Sequence, residues 1–169
     1  QAIMDKAHEF VRATAQAMDM IKVENISIDT VREKASKDPH ERIREFYTLA
    51  LPLIESYQAY CTNRSYLDFN DMITRCMSLF ENHTDISDLY KTKYKYILVD
   101  EFQDVNNLQV DLIKQLLTDS TQLFCVGDDW QSIYGFRGSN VSYIIEFEKH
   151  FPQSEVIKLN YNYRSTEHI

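Results

Sequence analysis

All three glycines of this 169-residue chain, Gly127, Gly135 and Gly138, lie in one twelve-residue stretch that also holds the only tryptophan, Trp130. Glycine is the residue that turns a backbone through left-handed or crowded conformations without penalty. Everywhere else this chain must turn on polar residues and proline. The same count excludes two nucleotide-binding loops. A Walker A loop needs glycines followed by Lys and Ser or Thr. No Gly-Lys pair occurs in these residues, and neither does the Gly-x-Gly of a dinucleotide fingerprint.

The length suits one domain of modest size or two small ones. Hydrophobic residues make up 44% and aromatics 12%, enough to build a core without disulfides and too many for disorder. Cys61, Cys76 and Cys125 are odd in number and widely spaced, which suits neither a disulfide framework nor a zinc site. No apolar run reaches the roughly 20 residues of a membrane span. Gln1 to Lys6 do not resemble a signal peptide. We expect reduced thiols, a cytoplasmic setting and no membrane partner. The chain starts without Met and stops just after a dense motif, so we expect a piece of a longer protein.

The two halves have different periodicities. Residues 1–93 read as an all-α subdomain. Ile3, Ala7, Phe10, Thr14, Ala17 and Ile21 recur at helical spacing. Thr30 with Glu33 suits a capping box. After Pro39, a longer stripe runs Ile43, Phe46, Tyr47, Ala50, Leu53, Ile54, Tyr57, Tyr60 and Cys61, and Pro52 inside it should kink or split the helix. Asp68 or Asn70 can cap a further helix with Phe69, Met72, Ile73, Cys76, Met77 and Phe80 on one face.

Residues 94–169 read as α/β. Tyr94–Val99 and Leu123–Val126 suit buried parallel strands, and Val156–Leu159 suits a third. Asn107–Thr118 and Ser139–His150 suit the helices between them. Strands alternating with helices predict a parallel sheet covered on both faces.

Three polar clusters follow the three predicted strands, where ligands of open α/β sheets gather. The first is Asp100-Glu101-Phe102-Gln103-Asp104. One carboxylate at a strand tip can hold magnesium, and its neighbour can orient an attacking water. The same pair also suits a solvated acidic turn. The second runs from Gly127 through Asp128, Asp129, Trp130 and Gln131 to Ser139. Aromatics on such a loop suit stacking on single-stranded bases, or simply closure over the core. The third is Leu159–Thr166, where Arg164 can meet a phosphate and Tyr163 a base, or where Arg164 is a surface ion-pair partner.

Taken together, Val99–Asp104, Val126–Ser139 and Leu159–Thr166 resemble motifs II, III and IV of the UvrD/Rep family of superfamily 1 DNA helicases, in order and in spacing. Tyr66–Ile73 resembles the Asp-Phe-x-Asp-Leu segment that precedes motif II. The resemblance covers roughly residues 55–169, and residues 1–54 match only by position. Trp130 and Phe136 depart from the usual residues of motif III in a way that resembles the DNA helicase IV branch.

The resemblance implies an α/β fold in which residues 94–169 form part of a RecA-like P-loop NTPase domain, with residues 1–93 as an inserted helical subdomain. It implies ATP and magnesium as cofactors. Asp100 is then the metal ligand and Glu101 the activator of water. Gln131 senses the γ-phosphate, with Gln103 near the nucleotide. Tyr163 packs on adenine, and Arg164 contacts the γ-phosphate. Arg137 links motif III to the ATP site, and Tyr134 and Phe136 stack on DNA. Trp130 inherits no role, and packing under the loop is its expected place. The implied partners are single-stranded DNA, junctions of single and double strands, and the rest of the same helicase chain.

The implied activity is ATP-driven movement 3′ to 5′ on single-stranded DNA with duplex unwinding, in repair or recombination. The segment alone should be inactive, because Walker A and a second RecA-like domain lie outside it. Alternatives are a UvrD-like ATPase that remodels RNA polymerase complexes, or the motor of a helicase–nuclease. Charge cuts across the DNA reading. The formal net charge is -8, and residues 96–169 carry five Lys+Arg against eleven Asp+Glu. Nucleic-acid binders usually present basic faces, so weak DNA binding by this segment is expected.

Overall fold

The computed structural model describes residues 2–133, 135 and 138–166. Tyr134, Phe136 and Arg137, three of the expected site residues, lie outside the described residues. Five helices come first: α1 (Ala2–Val23), α2 (Ile28–Ser36), α3 (Glu41–Asn63), α4 (Phe69–Asn82) and α5 (Thr84–Lys93). Then come β1 (Tyr96–Val99), α6 (Asn107–Leu116), β2 (Gln122–Cys125), α7 (Ser142–Ile145) and α8 (Phe147–His150). Single 3-10 turns follow each strand, at Phe102–Asp104 and Asp129–Gln131.

Side-chain caps fix three of the helix starts. Asp68 caps α4 by accepting the N–H of Asp71, while the Asp71 side chain accepts the N–H of Asp68. This reciprocal box satisfies two backbone donors left without partners in the first turn. Asn106 and Gln109 do the same at α6. At α2 the cap is Ser27, whose side chain accepts the N–H of Thr30. The expected box of Thr30 with Glu33 lies one turn too late.

Pro52 neither splits nor ends α3, which runs on through it. Both Pro52 and Thr48 are exposed, so water can take the Thr48 carbonyl that the missing N–H leaves free. Along α4, Met77 and Phe80 are buried with Ile73 and Cys76 half-buried beside them, but Phe69 and Met72 face outward. The stripe therefore buries its second half only.

β1 and β2 pair in parallel, with Ile97 opposite Leu123 and Val99 opposite Cys125. Alternate residues differ sharply: Ile97, Val99, Leu123 and Cys125 are half-buried, whereas Tyr96, Leu98 and Phe124 are exposed. The sheet is covered on one face, not on both. The expected third strand, Val156–Leu159, forms no ladder, and Leu159 is 87% exposed. A β-prone run without a hydrogen-bonding neighbour has nothing to fix it as a strand. The expected helix over Ser139–His150 is shorter and broken at Glu146 into α7 and α8.

Two apolar clusters hold the chain together. Ile21, Leu51 and Ile54 are buried with Met18, Ile28, Val31 and Tyr47 packed around them, joining α1, α2 and α3. Phe102, Val105, Val110 and Tyr143 form the other, flanked by Val99, Ile113, Cys125, Ile144, Phe147 and Phe151. Phe102 is fully buried, and its ring meets Phe147 edge-on at 5.5 Å. The turn after β1 is thus anchored from beneath by a large apolar side chain, with Asp100 and Glu101 left at the surface.

A candidate nucleotide and nucleic-acid site at two strand ends

The two strand ends are joined through their backbones. Val126 donates its N–H to the Val99 carbonyl, and Phe102 donates to the Val126 carbonyl, both at 2.9 Å. Past this point each chain turns away from the sheet, and the acidic residues of both loops come out side by side.

Asp100 and Glu101 stand exposed at the tip of β1. Asp100 Oδ1 accepts the N–H of Glu101 at 2.9 Å. Glu101 itself is left-handed, at φ 51 and ψ 42. A non-glycine residue pays for that conformation, and such residues collect at functional sites. The turn lifts the Glu101 carboxylate clear of the strand, and Glu101 Oε2 accepts a hydrogen bond from Gln103 Nε2 at 2.7 Å.

Gln103 is the buried member of the group, only 2% exposed. Its Oε1 accepts the N–H of Asp128 at 3.0 Å, so one amide side chain holds the first loop to the second. Its backbone carbonyl accepts the Ser132 hydroxyl at 3.3 Å. Gly127 makes room for this bridge. A Cβ there would stand 2.7 Å from Gln103 Oε1 and from Ile144 Cδ1. The glycine is required by close approach, not by an unusual φ.

In the second loop Asp128 accepts twice, from the Trp130 N–H at 3.1 Å and from Gln131 Nε2 at 2.8 Å. Gln131 is thereby held near the other loop while remaining exposed. Trp130 is 91% exposed and does not pack under the loop. The Asp128 cap turns the backbone so that the indole faces solvent. Its exposure offers a free aromatic face beside the acidic loops, which composition alone could not reveal.

The third cluster stands apart. Asn162 Oδ1 accepts the N–H groups of Arg164 and Ser165, forming a local turn. Tyr161 and Tyr163 stack at 5.9 Å between ring centroids, and Tyr163 is exposed. Among the described residues the Arg164 side chain makes no ion pair with Asp100 or Glu101. The structure therefore brings Asp100, Glu101, Gln103, Asp128 and Gln131 together and leaves Tyr163 and Arg164 outside the cluster.

Among the described residues no group of three or more His, Cys, Asp or Glu is arranged to hold a metal. Magnesium keeps several waters and is usually held by one or two carboxylates with substrate phosphates. Asp100, with one oxygen engaged by a backbone N–H and the other turned to solvent, fits that role. Among the described residues no helix is long and apolar enough to cross a membrane.

Residues 3–152 match the family described as the UvrD/REP helicase N-terminal domain. The match reaches back to residue 3, well before the part in which motifs can be recognised, and ends before Tyr163 and Arg164. YjcD of Bacillus subtilis (strain 168) is 42% identical over 134 residues, which is 78% of this chain and 18% of YjcD. The ATP-dependent DNA helicase PcrA of Staphylococcus epidermidis (strain RP62A) is 36% identical over 137 residues, 80% of this chain and 19% of that protein. PcrA of Staphylococcus aureus (strain Mu50) is 37% identical over the same share of each chain. The chain spans about a fifth of the length of these relatives.

Proposed function

This chain belongs to the UvrD/REP helicase N-terminal domain family, and from that premise we propose that it is the motif II to motif IV segment of an ATP-dependent DNA helicase. Residues 94–169 then belong to a RecA-like P-loop NTPase domain and residues 1–93 to a helical insertion. The phosphate-binding loop and the second RecA-like domain are supplied by the rest of the protein, so the segment alone hydrolyses no ATP. The full protein moves 3′ to 5′ along single-stranded DNA and opens duplex at junctions, in repair or recombination.

The observation that carries this reading is the bridge through Gln103, which binds Glu101 with one end and the Asp128 N–H with the other. It joins a candidate base to the loop of a candidate phosphate sensor. Magnesium, when bound with ATP, would supply charge neutralisation at the β- and γ-phosphates, with Asp100 as its protein ligand. Glu101 accepts the proton of the attacking water. Its left-handed backbone and the Gln103 hydrogen bond hold the carboxylate in one orientation before nucleotide arrives. Gln131, held by Asp128, has a carboxamide free to exchange that partner for a phosphate oxygen.

A sensor that changes partners changes its loop. The same loop carries Tyr134 and Phe136, the proposed DNA-stacking residues, with Arg137 linking it toward the ATP site. Tyr163 and Arg164 join the nucleotide when the adjoining domain closes. Differential contacts of Gln131 in the two nucleotide states are what this coupling requires.

The test is strand displacement by the full protein on 3′-tailed and 5′-tailed duplexes, with ATP hydrolysis followed in the same samples. Unwinding of the 3′-tailed substrate alone, driven by hydrolysis, is expected. Hydrolysis that single-stranded DNA does not stimulate would refute the reading.

A further inference from the structure

The end of α1 is held from two sides. On one side, Lys22 donates to Asp68 and Asp71, the two residues of the α4 capping box, at 2.5 and 2.6 Å. On the other, Val23, only 3% exposed, lies against Gly138. Gly138 sits at φ +83, and a Cβ on it would stand 2.9 Å from Val23 Cγ1 and 3.6 Å from Met20 Sδ. This is a contact only glycine allows, for its space and for its backbone.

Polar contacts run beside it. Asn107 Nδ2 donates to Glu24 Oε2 at 2.8 Å, and Asn140 Nδ2 donates to Asn107 Oδ1 at 3.3 Å. Asn140 also donates its N–H to the Val105 carbonyl at 2.9 Å, and Ser139 pairs with Asn106. The α1 terminus closes on itself. Asn25 is left-handed at φ 50, and Ile26 donates its N–H back to the Ile21 carbonyl at 3.0 Å. So the loop that leaves Gln131 ends, seven residues later, pressed on the last turn of a 22-residue helix.

We propose that the last turn of α1 is a seat that positions the loop between β2 and α7, with Val23 against Gly138 and Glu24 against Asn107. Displacement of that loop is passed through this seat and the Lys22 ion pairs to α1 and α4. The helical segment then follows the nucleotide state without touching nucleotide. Val23, Glu24 and Asn107 are positioning residues for the loop. This inference rests on the helicase reading given above.

The experiment measures base pairs unwound per ATP hydrolysed, together with DNA-stimulated ATP turnover, in the full protein. Glu24→Ala should keep its turnover while the ratio falls about fivefold, the lower end of ordinary coupling between sites. Asn107→Ala should lower the ratio alike, and the double variant should be no worse than either single. Gly138→Ala should lower the ratio further, and Val23→Ala in that background should recover part of it by removing the clashing methyl groups.

An unchanged ratio in Glu24→Ala, in a protein that does unwind, would overturn the seat alone. So would additive losses in the double variant, or ratio and turnover falling together. If Gly138→Ala does not fold, the Glu24 and Asn107 variants decide the matter. A parent protein without DNA-stimulated turnover would overturn the helicase reading, and the coupling with it.

Discussion

Gln103 Oε1 accepts the backbone N–H of Asp128 at 3.0 Å from a side chain that is almost wholly buried. The loops after β1 and β2 are therefore one polar unit built over one apolar anchor, Phe102. Replacing Gln103 with Leu keeps the volume but leaves the Asp128 N–H and the Glu101 carboxylate without this partner. Losing a hydrogen bond of this kind costs about 1 kcal/mol. The urea midpoint should fall accordingly with no change in slope. A midpoint equal to the parent's would mean that water replaces the amide at no cost.

Glu101→Gln tests chemistry apart from folding. The amide is the same shape, and its oxygen can still accept from Gln103 Nε2. Stability should stay within about 0.5 kcal/mol of the parent, as for most exposed substitutions. ATP turnover by the full protein should fall by roughly a hundredfold or more, the usual contribution of a positioned base. Single-turnover hydrolysis at saturating magnesium is the measurement. Retained turnover would remove Glu101 from the mechanism.

The Lys22 pairs predict a plateau in stability against pH. Burial opposes the charge on Lys22, whose side chain is 9% exposed, but the hydrogen bonds it donates to Asp68 and Asp71 outweigh it and raise its pKa above 10.5. Burial likewise works to raise the pKa of Asp68, yet Lys22 and backbone N–H groups outweigh it and hold the carboxyl below 3.8. A raised lysine stabilises fully below its unfolded value, and this is lost as pH climbs through the folded one. A lowered aspartate stabilises fully above its unfolded value, and this is lost as pH falls through the folded one. Comparing unfolding free energies of the parent and Lys22→Met from urea titrations, the gap should be about 2 kcal/mol near neutrality. It should narrow only at the two extremes. A gap that varies through neutral pH would assign the effect to other groups.

Cys125 ends β2 beneath the polar loops, and burial pushes its thiol up to about 12. Only the thiolate is nucleophilic, so the native chain should resist alkylation there at mildly alkaline pH. Labelling of Cys125 by iodoacetamide should track unfolding of the second cluster, with mass spectrometry as the readout. Rapid labelling in the absence of denaturant would show that this cluster opens locally.

Much of this architecture is legible from residue order, because local chemistry decides it. The α4 cap, the Asn107 helix and the two paired strands follow from caps, helical spacing and short apolar runs. So does the meeting of the Asp100 and Asp128 loops, since parallel neighbours bring their carboxyl ends together. What is not legible depends on distant partners. Val156–Leu159 has strand composition but no neighbour to pair with, and Phe69 has a stripe position but nothing to pack on. Pro52 is tolerated because its face of α3 is wet, which spacing does not reveal. The role of Gln103 as a buried bridge could have been suspected from an amide set between two carboxylates, Glu101 and Asp104. That Trp130 faces solvent could not, because tryptophan is mostly buried on average and nothing in the order of residues marks this one as displayed.

Among the described residues the sheet has two strands, and a sheet of two strands has no interior. β1 and β2 are both edges, each with a row of backbone donors and acceptors on its outer side, and their open face displays Tyr96, Leu98 and Phe124. Unpaired edges are templates for another strand, and apolar open faces are adhesive. Purified by itself, this chain should associate as its concentration rises. Like-charge repulsion between copies, each at a formal -8, opposes that. Salt, by screening the repulsion, should therefore promote association.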